Sequence, residues 1–298
     1  MATGFSLHIG LNSVSSRHYL GWSGELVACE NDARDMATLA QSLDYAETKV
    51  LLTRAATAKA VIAGIRGTAQ KMAAGDAFLL TYSGHGGQVT DTNGDEAVRD
   101  YGEMGEKPDR KDETWCLYDR QLIDDELWAL WAEFPARSRV FVHSDSCHSG
   151  TVSRGPLDEP DWDAVAGVDA ARGRGRAARA ARPRTRDMPV HVALEVQKAR
   201  AATYARIQRE VPPREANSVK ATVALVSGCQ DNQTSLDGDV NGLFTETLLQ
   251  VWDGGSYEGS FHDLRNQVVQ LMPATQTPNY YVVGRSNVRA LRRPALRI

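Results

Sequence analysis

Two short apolar runs in this chain each end in a glycine-punctuated polar turn, the way buried strands of a parallel sheet leave a protein core. Residues 77–82 close in Ser83-Gly84-His85-Gly86-Gly87, and residues 139–142 lead to Asp145-Ser146-Cys147-His148-Ser149-Gly150. Runs of this length bounded by turn formers read as strands rather than helices. Each strand end carries one reactive side chain, an imidazole at His85 and a thiol at Cys147.

The rest of the chain alternates in the same manner. Residues 5–11 are strand-like, and Ala33, Met36, Ala37, Leu39, Ala40 and Leu43 follow at helical spacing. A second strand at 50–52 precedes a helix over 57–72 capped by Thr57, and Asp124 is expected to cap a helix over 124–131. Beyond residue 150 the pattern gives way to a Gly, Arg, Pro and Asp-rich stretch. A helix-like segment at 190–210 follows, then strands at 222–226 and 280–283 around helices at 243–252 and 261–271. Strands alternating with helices predict an α/β domain with a parallel sheet covered on both faces. Reactive groups in such sheets lie beyond the carboxyl ends of the strands, where His85 and Cys147 both fall. The interruption is too long for a turn, so the reading is one domain in two segments joined by a linker.

Composition narrows the class. No stretch reaches the roughly 18 apolar residues of a membrane span, and no basic-then-apolar leader opens the chain, so a cytoplasmic protein without membrane contact is expected. Cys29, Cys116, Cys147 and Cys229 show no metal spacing and no disulfide framework, and reduced thiols follow. The net charge of −4 is unevenly spread, with acid between Asp91 and Asp125 and base between Arg172 and Arg186.

A thiolate attacks an amide only if a base assists it and donors catch the oxyanion. His85 supplies the base. The glycines around it let backbone approach a ligand closely, so the Gly86 amide can pair with the Cys147 amide as an oxyanion hole. His148 adjoins the thiol but points to the opposite face of an extended segment. Asp145, two residues before Cys147, shares its face and places a carboxylate where a cationic substrate side chain would sit.

The runs YSGHGG and SDSCHSG, with Ser227-Gly228-Cys229-Gln230-Asp231-Asn232-Gln233-Thr234-Ser235 and Cys29-Glu30-Asn31-Asp32-Ala33, resemble the caspase-fold cysteine peptidases, specifically the bacterial metacaspases or orthocaspases. The resemblance implies a caspase-like three-layer sandwich with a mostly parallel central sheet. It also implies a His85/Cys147 dyad, a large-subunit region (1–152), a linker (153–220) and a small-subunit region (221–298). Asp32, Ser83 and Asp145 match positions lining a pocket for Arg or Lys, and Asp231 is a further candidate from the small-subunit side. Caspases proper carry cationic pocket residues and cut after Asp. The expected activity is therefore an endopeptidase acting on proteins or peptides after Arg, with Lys as the other option. It needs no organic cofactor, and the family's usual state is monomeric.

That specificity gives the linker a meaning. Arg172, Arg174, Arg176, Arg179, Arg182, Arg184 and Arg186 lie among Ala, Gly and Pro in a stretch expected to be flexible and exposed, as cleavage sites must be. Self-cleavage there, or cutting by an upstream protease, would release an occluded site. A nucleic-acid patch ranks second because no aromatics interleave to stack on bases. A catalytically silent scaffold is the non-enzyme alternative.

The acidic stretch offers hard oxygen ligands. Asp91, Asn93 and Asp95 copy the start of an EF-hand loop, but Gly94 stands at its fourth place instead of its sixth. The family resemblance instead implies an activating Ca²⁺ site at Asp112, Asp124 and Asp125, with Arg154 standing where a fourth acid is expected and Asp158 nearby. Asp124 and Asp125 also suit the positive end of a helix dipole.

Overall fold

The computed structural model describes residues 2–93, 111–147, 184–211, 218–229, 233–284 and 288–298. In chain order the strands are β1 (Gly4–Gly10), β2 (Glu47–Leu52), β3 (Ala77–Ser83), β4 (Gly86–Thr90), β5 (Lys111–Cys116), β6 (Gln121–Ile123), β7 (Arg139–Asp145), β8 (Arg184–Thr185), β9 (Thr222–Ser227), β10 (Leu236–Asp237) and β11 (Asn279–Gly284). The helices are α1 (Cys29–Ser42), α2 (Ala58–Lys71), α3 (Asp124–Ala132), α4 (Val190–Glu210), α5 (Leu243–Trp252), α6 (Phe261–Leu271) and α7 (Val288–Leu291).

Six strands form the central sheet in the order β11-β9-β7-β3-β1-β2, parallel throughout except for β11 against β9. Every residue of β1, β3 and β7 is buried, as central strands of a sheet covered on both sides must be. Successive side chains go to opposite faces. Phe78, Leu80 and Tyr82 join Val61, Ile65 and Phe134 beneath α2 and α3. Leu79 and Phe141 join Met36, Phe244, Leu248 and Leu264 beneath α1, α5 and α6. The result is the expected three-layer α/β sandwich with a mostly parallel central sheet. Within the central sheet, the edge strands β2 and β11 leave most of their residues less than fully buried.

Thr57 caps α2 by accepting from the Ala60 N–H at 3.2 Å. At α3 the extended cap position is Ile123, and Asp124 is the first helical residue instead of the cap that its side chain suggested. His8 and His143 lie inside the sheet, bonded to Thr81 and Thr245 at 2.9 and 3.1 Å. Burial lowers them to about 3 and about 4, so both are held neutral.

Register sets up the functional edge. The parallel ladders align Gly10 with Ser83, Ser83 with Asp145, and Ser144 with Ser227. His85 and Cys147 therefore lie two residues past aligned ends of neighbouring strands. Two smaller sheets adjoin this edge, the antiparallel β4-β5-β6 ribbon and the β8-β10 pair.

Candidate active site

His85 directs Nε2 at the Gly24 carbonyl, 3.1 Å away. A carbonyl only accepts, so Nε2 carries the proton and Nδ1 is left as an acceptor. Nδ1 is buried without a hydrogen-bond partner among the described residues. The Trp22 ring packs on the imidazole at 4.8 Å. Gly24 has φ +54°, and a side chain there would strike both Trp22 and the His85 ring. Cys147 is also buried, its Sγ accepting from the Ser235 N–H at 2.7 Å. Gly86 passes so close to the Cys147 carbonyl that a Cβ would lie 1.6 Å from its oxygen. Burial lowers His85 to about 4, against the opposing pull of the Gly24 carbonyl and Asp187. Burial and the neighbouring Cys229 thiol push the Cys147 thiol well up. With the site closed, base and thiol are both neutral.

Residues 184–188 lie over it, paired with β10 and with Gly86. Arg186, expected in a flexible, exposed stretch, is 0% exposed. Its Nη2 lies 2.8 Å from Asp32 Oδ2 and 2.9 Å from Asp237 Oδ1. Its Nη1 lies 3.0 Å from Asp145 Oδ1 and donates to the Ser83 hydroxyl at 2.8 Å. Ser83 in turn donates to Asp32 at 2.6 Å. Each carboxylate is braced by further donors. Asp145 accepts from Ser235 Oγ (2.6 Å) and Thr245 Oγ1 (2.7 Å), Asp32 from the Gly242 N–H (2.9 Å), and Asp237 from the Val27 N–H (2.8 Å).

Three carboxylates thus converge on one guanidinium. Burial raises Asp32 despite Arg186, whereas at Asp145 burial is outweighed by Arg186 and His143, which hold it below the usual carboxylate range. Burial alone would lower Arg186, but Asp145 and the other anionic neighbours lift it well above its ordinary value. The cage holds a cation and leaves it charged.

The backbone around Arg186 is equally fixed. β8 pairs antiparallel with β10, and the Arg186 N–H donates to the Ser235 carbonyl at 3.0 Å. The Arg186 carbonyl accepts from the Gly86 N–H at 2.8 Å, and the Met188 N–H donates to the Gly86 carbonyl at 2.9 Å. The peptide between Arg186 and Asp187 consequently lies beside His85 and Cys147, and the Asp187 carboxylate is felt by both.

Asp32, Ser83 and Asp145 come together as the sequence suggests. Asp231 lies outside the described residues, and the small-subunit acid seen in the cage is Asp237, which sequence reasoning missed. Its one signal was an acid a few residues past the Ser227-Gly228-Cys229 turn. The linker arginines from Arg172 to Arg182, and His148, Arg154, Asp158, Gly94 and Asp95, also lie outside the described residues. With Arg186 enclosed by acids, it is not available to a phosphate backbone.

A second acidic cluster sits about α3. Asp112, Asp124 and Asp125 each offer an oxygen within 4.8 Å of the others. Gln208 of α4 donates through its amide to Asp112, and the Asn93 amide donates to Asp125 at 2.8 Å. An all-oxygen, triply anionic set fits a hard divalent cation.

A family model described as the caspase domain matches residues 14–287. Metacaspase-1 of Mycosarcoma maydis is 30% identical over 291 residues, covering 89% of this chain and 63% of that protein. Metacaspase-1 of Schizosaccharomyces pombe is 30% identical over 262 residues, 82% of this chain and 57% of that protein. The chain thus spans about three fifths of the curated relatives it matches. Among solved structures, protein GSU0716 from Geobacter sulfurreducens is 42% identical with a TM-score of 0.79, covering 98% of this chain and 97% of that one. Caspase-1 from Spodoptera frugiperda is similar in fold at 13% identity and a TM-score of 0.50, covering 99% and 89%. No helix among the described residues is long and apolar enough to cross a membrane.

Proposed function

This chain belongs to the caspase-domain family, and from that premise we propose that it is a cysteine endopeptidase that cleaves proteins after arginine and is held shut by its own linker until that linker is cut. One observation carries the reading: Arg186 sits in a cage of three carboxylates with its carbonyl on the Gly86 N–H, as a substrate residue before a scissile bond would. The bond to be cut in cis is then Arg186–Asp187, by the enzyme itself or by an upstream protease of similar preference.

In the mechanism, Cys147 Sγ attacks the arginine carbonyl carbon and its proton passes to His85 Nδ1. The oxygen gains negative charge facing the Gly86 amide, with the Cys147 amide as second donor. Collapse breaks the C–N bond, and the Nδ1 proton goes to the leaving amine. Water then attacks the thioester, gives a proton to Nδ1, and releases the arginine carboxylate while the thiol is restored. The Gly24 carbonyl fixes the tautomer this requires. Departure of the linker admits water and removes the burial that keeps the thiol neutral.

A guanidinium fork can meet several carboxylates at once, whereas an ammonium is a point donor, so lysine is the weaker substrate. Fluorogenic Arg, Lys and Asp peptides test this on linker-cleaved protein. Arg is expected to exceed Lys about tenfold and Asp by more than about a hundredfold, since like charges cost several kcal/mol. Turnover of the Asp peptide overturns the pocket assignment, and no turnover of any peptide favours the scaffold.

Asp112, Asp124 and Asp125 are proposed to hold Ca²⁺, whose charge would offset their mutual repulsion. Gln208 and Asn93 would yield their bonds to it, which couples the ion to α4. Millimolar Ca²⁺ is expected to raise Tm by several degrees, and Asp112→Asn to abolish that shift. An unchanged melting curve with and without the ion rejects the site.

A further inference from the structure

Beyond the arginine cage, residues 186–188 show how the chain after the cut would be held. Gly86 bonds both sides of the scissile peptide, donating to the Arg186 carbonyl and accepting from the Met188 N–H, with Asp187 bridged between them. This fixes the register of the second residue after the cut. Met188 is 2% exposed, in a cluster with Val14, Tyr19 and Cys116 and the partly buried Trp22. Those residues belong to the catalytic core and not to the linker. Cys116 follows Trp115, the residue paired with Gly86, and its N–H donates to the His85 carbonyl at 2.9 Å. Tyr19 is anchored through its hydroxyl to the Leu117 carbonyl at 2.7 Å. The remaining apolar neighbours, Val192, Ala193 and Val196, come from α4 and belong to the same covering segment as Met188.

We propose that Val14, Tyr19, Trp22 and Cys116 form an apolar subsite that selects substrates with methionine or leucine two residues after the cleaved arginine, Met188 being its resident occupant. The subsite rests on the arginine-directed reading above and narrows its substrate class. A flexible aliphatic side chain without β-branching fits for a physical reason: methionine fills irregular gaps, leucine has a similar volume, and burial of either is worth enough to discriminate against polar residues. The site also bears on the chemistry. Trp22 touches the His85 ring and Gly24 holds its Nε2–H, so the loop that grips this residue is the loop that positions the base.

The test uses internally quenched peptides sharing Arg-Thr-Arg-Asp and differing only in the next residue, Met, Leu, Ser or Glu, on the full chain after its linker is cut. An Arg-aminocoumarin substrate, which has no residues after the cut, reports the arginine site alone. Met and Leu peptides are expected to show kcat/KM about ten- to a hundredfold above Ser and Glu. Equal rates across the four peptides, with the coumarin turned over, overturn the subsite and leave the arginine reading intact. Coumarin turnover with all four peptides uncut also overturns it, because α4 then still covers the face. Failure of the coumarin as well removes the arginine reading and the subsite with it.

Discussion

Replacing Cys147 with alanine is expected to give one species at the full 32.6 kDa, whereas the wild type is expected to yield two fragments meeting after Arg186. The nucleophile forms the covalent bond on which both half-reactions depend, so the loss should be about 10⁴-fold or more, not partial. Folding should survive, because only a sulfur is removed and the Ser235 N–H is the one strong donor it satisfies. His85→Ala should cost less, about 10²- to 10⁴-fold, since a positioned acid can be replaced in part by water. Intact-mass spectrometry after purification, repeated at several protein concentrations, separates cutting in cis from cutting in trans. Fragments with the same junction from Cys147→Ala would refute the assignment of the nucleophile.

Much of this site was legible because its chemistry sits on strand ends. Strands β3 and β7 are built around the apolar runs Ala77–Leu80 and Val140–Val142, and the turn formers after them mark where the chain leaves the sheet. The residues past those ends then fall at the reactive edge without any knowledge of register. The β4-β5-β6 ribbon was not legible, since Gly86–Thr90 and Lys111–Cys116 carry glycine, polar and charged residues in place of an apolar alternation. Asp237 was missed for a related reason. It acts from a two-residue strand whose pairing with β8 depends on a contact across 51 residues of chain. Arg186 was misread most instructively. The stretch that leads to it, from Arg172 to Arg184, is mostly arginine, alanine, glycine and proline, which argues for an exposed coil. Its neighbours in space are three acids drawn from α1, β7 and β10, and only the fold brings them together.

Arg186→Gln is expected to turn the closed chain into an active peptidase without any cut. Removing one partner of a buried charge cluster costs about 3–5 kcal/mol, because the acids that remain are buried without a counter-ion. Here the docked linker bears that cost, and the undocked state, with the acids hydrated, does not. A shift of this size changes the ratio of docked to open by about two to four orders of magnitude. A tethered segment acts at an effective concentration of millimolar order, so a micromolar substrate competes poorly with the wild-type linker and well with the variant. Turnover of an Arg-aminocoumarin by uncut Arg186→Gln should therefore approach that of cleaved wild type, while the junction at residue 186 disappears from its mass spectrum. Arg186→Lys should fall between, because the ammonium keeps the charge but not the fork that reaches Asp32, Asp145 and Asp237 together. An uncut Arg186→Gln protein that ignores the Arg substrate would mean that the cage does not hold the gate, and that Met188 and the α4 helix that follows it keep the site closed by themselves.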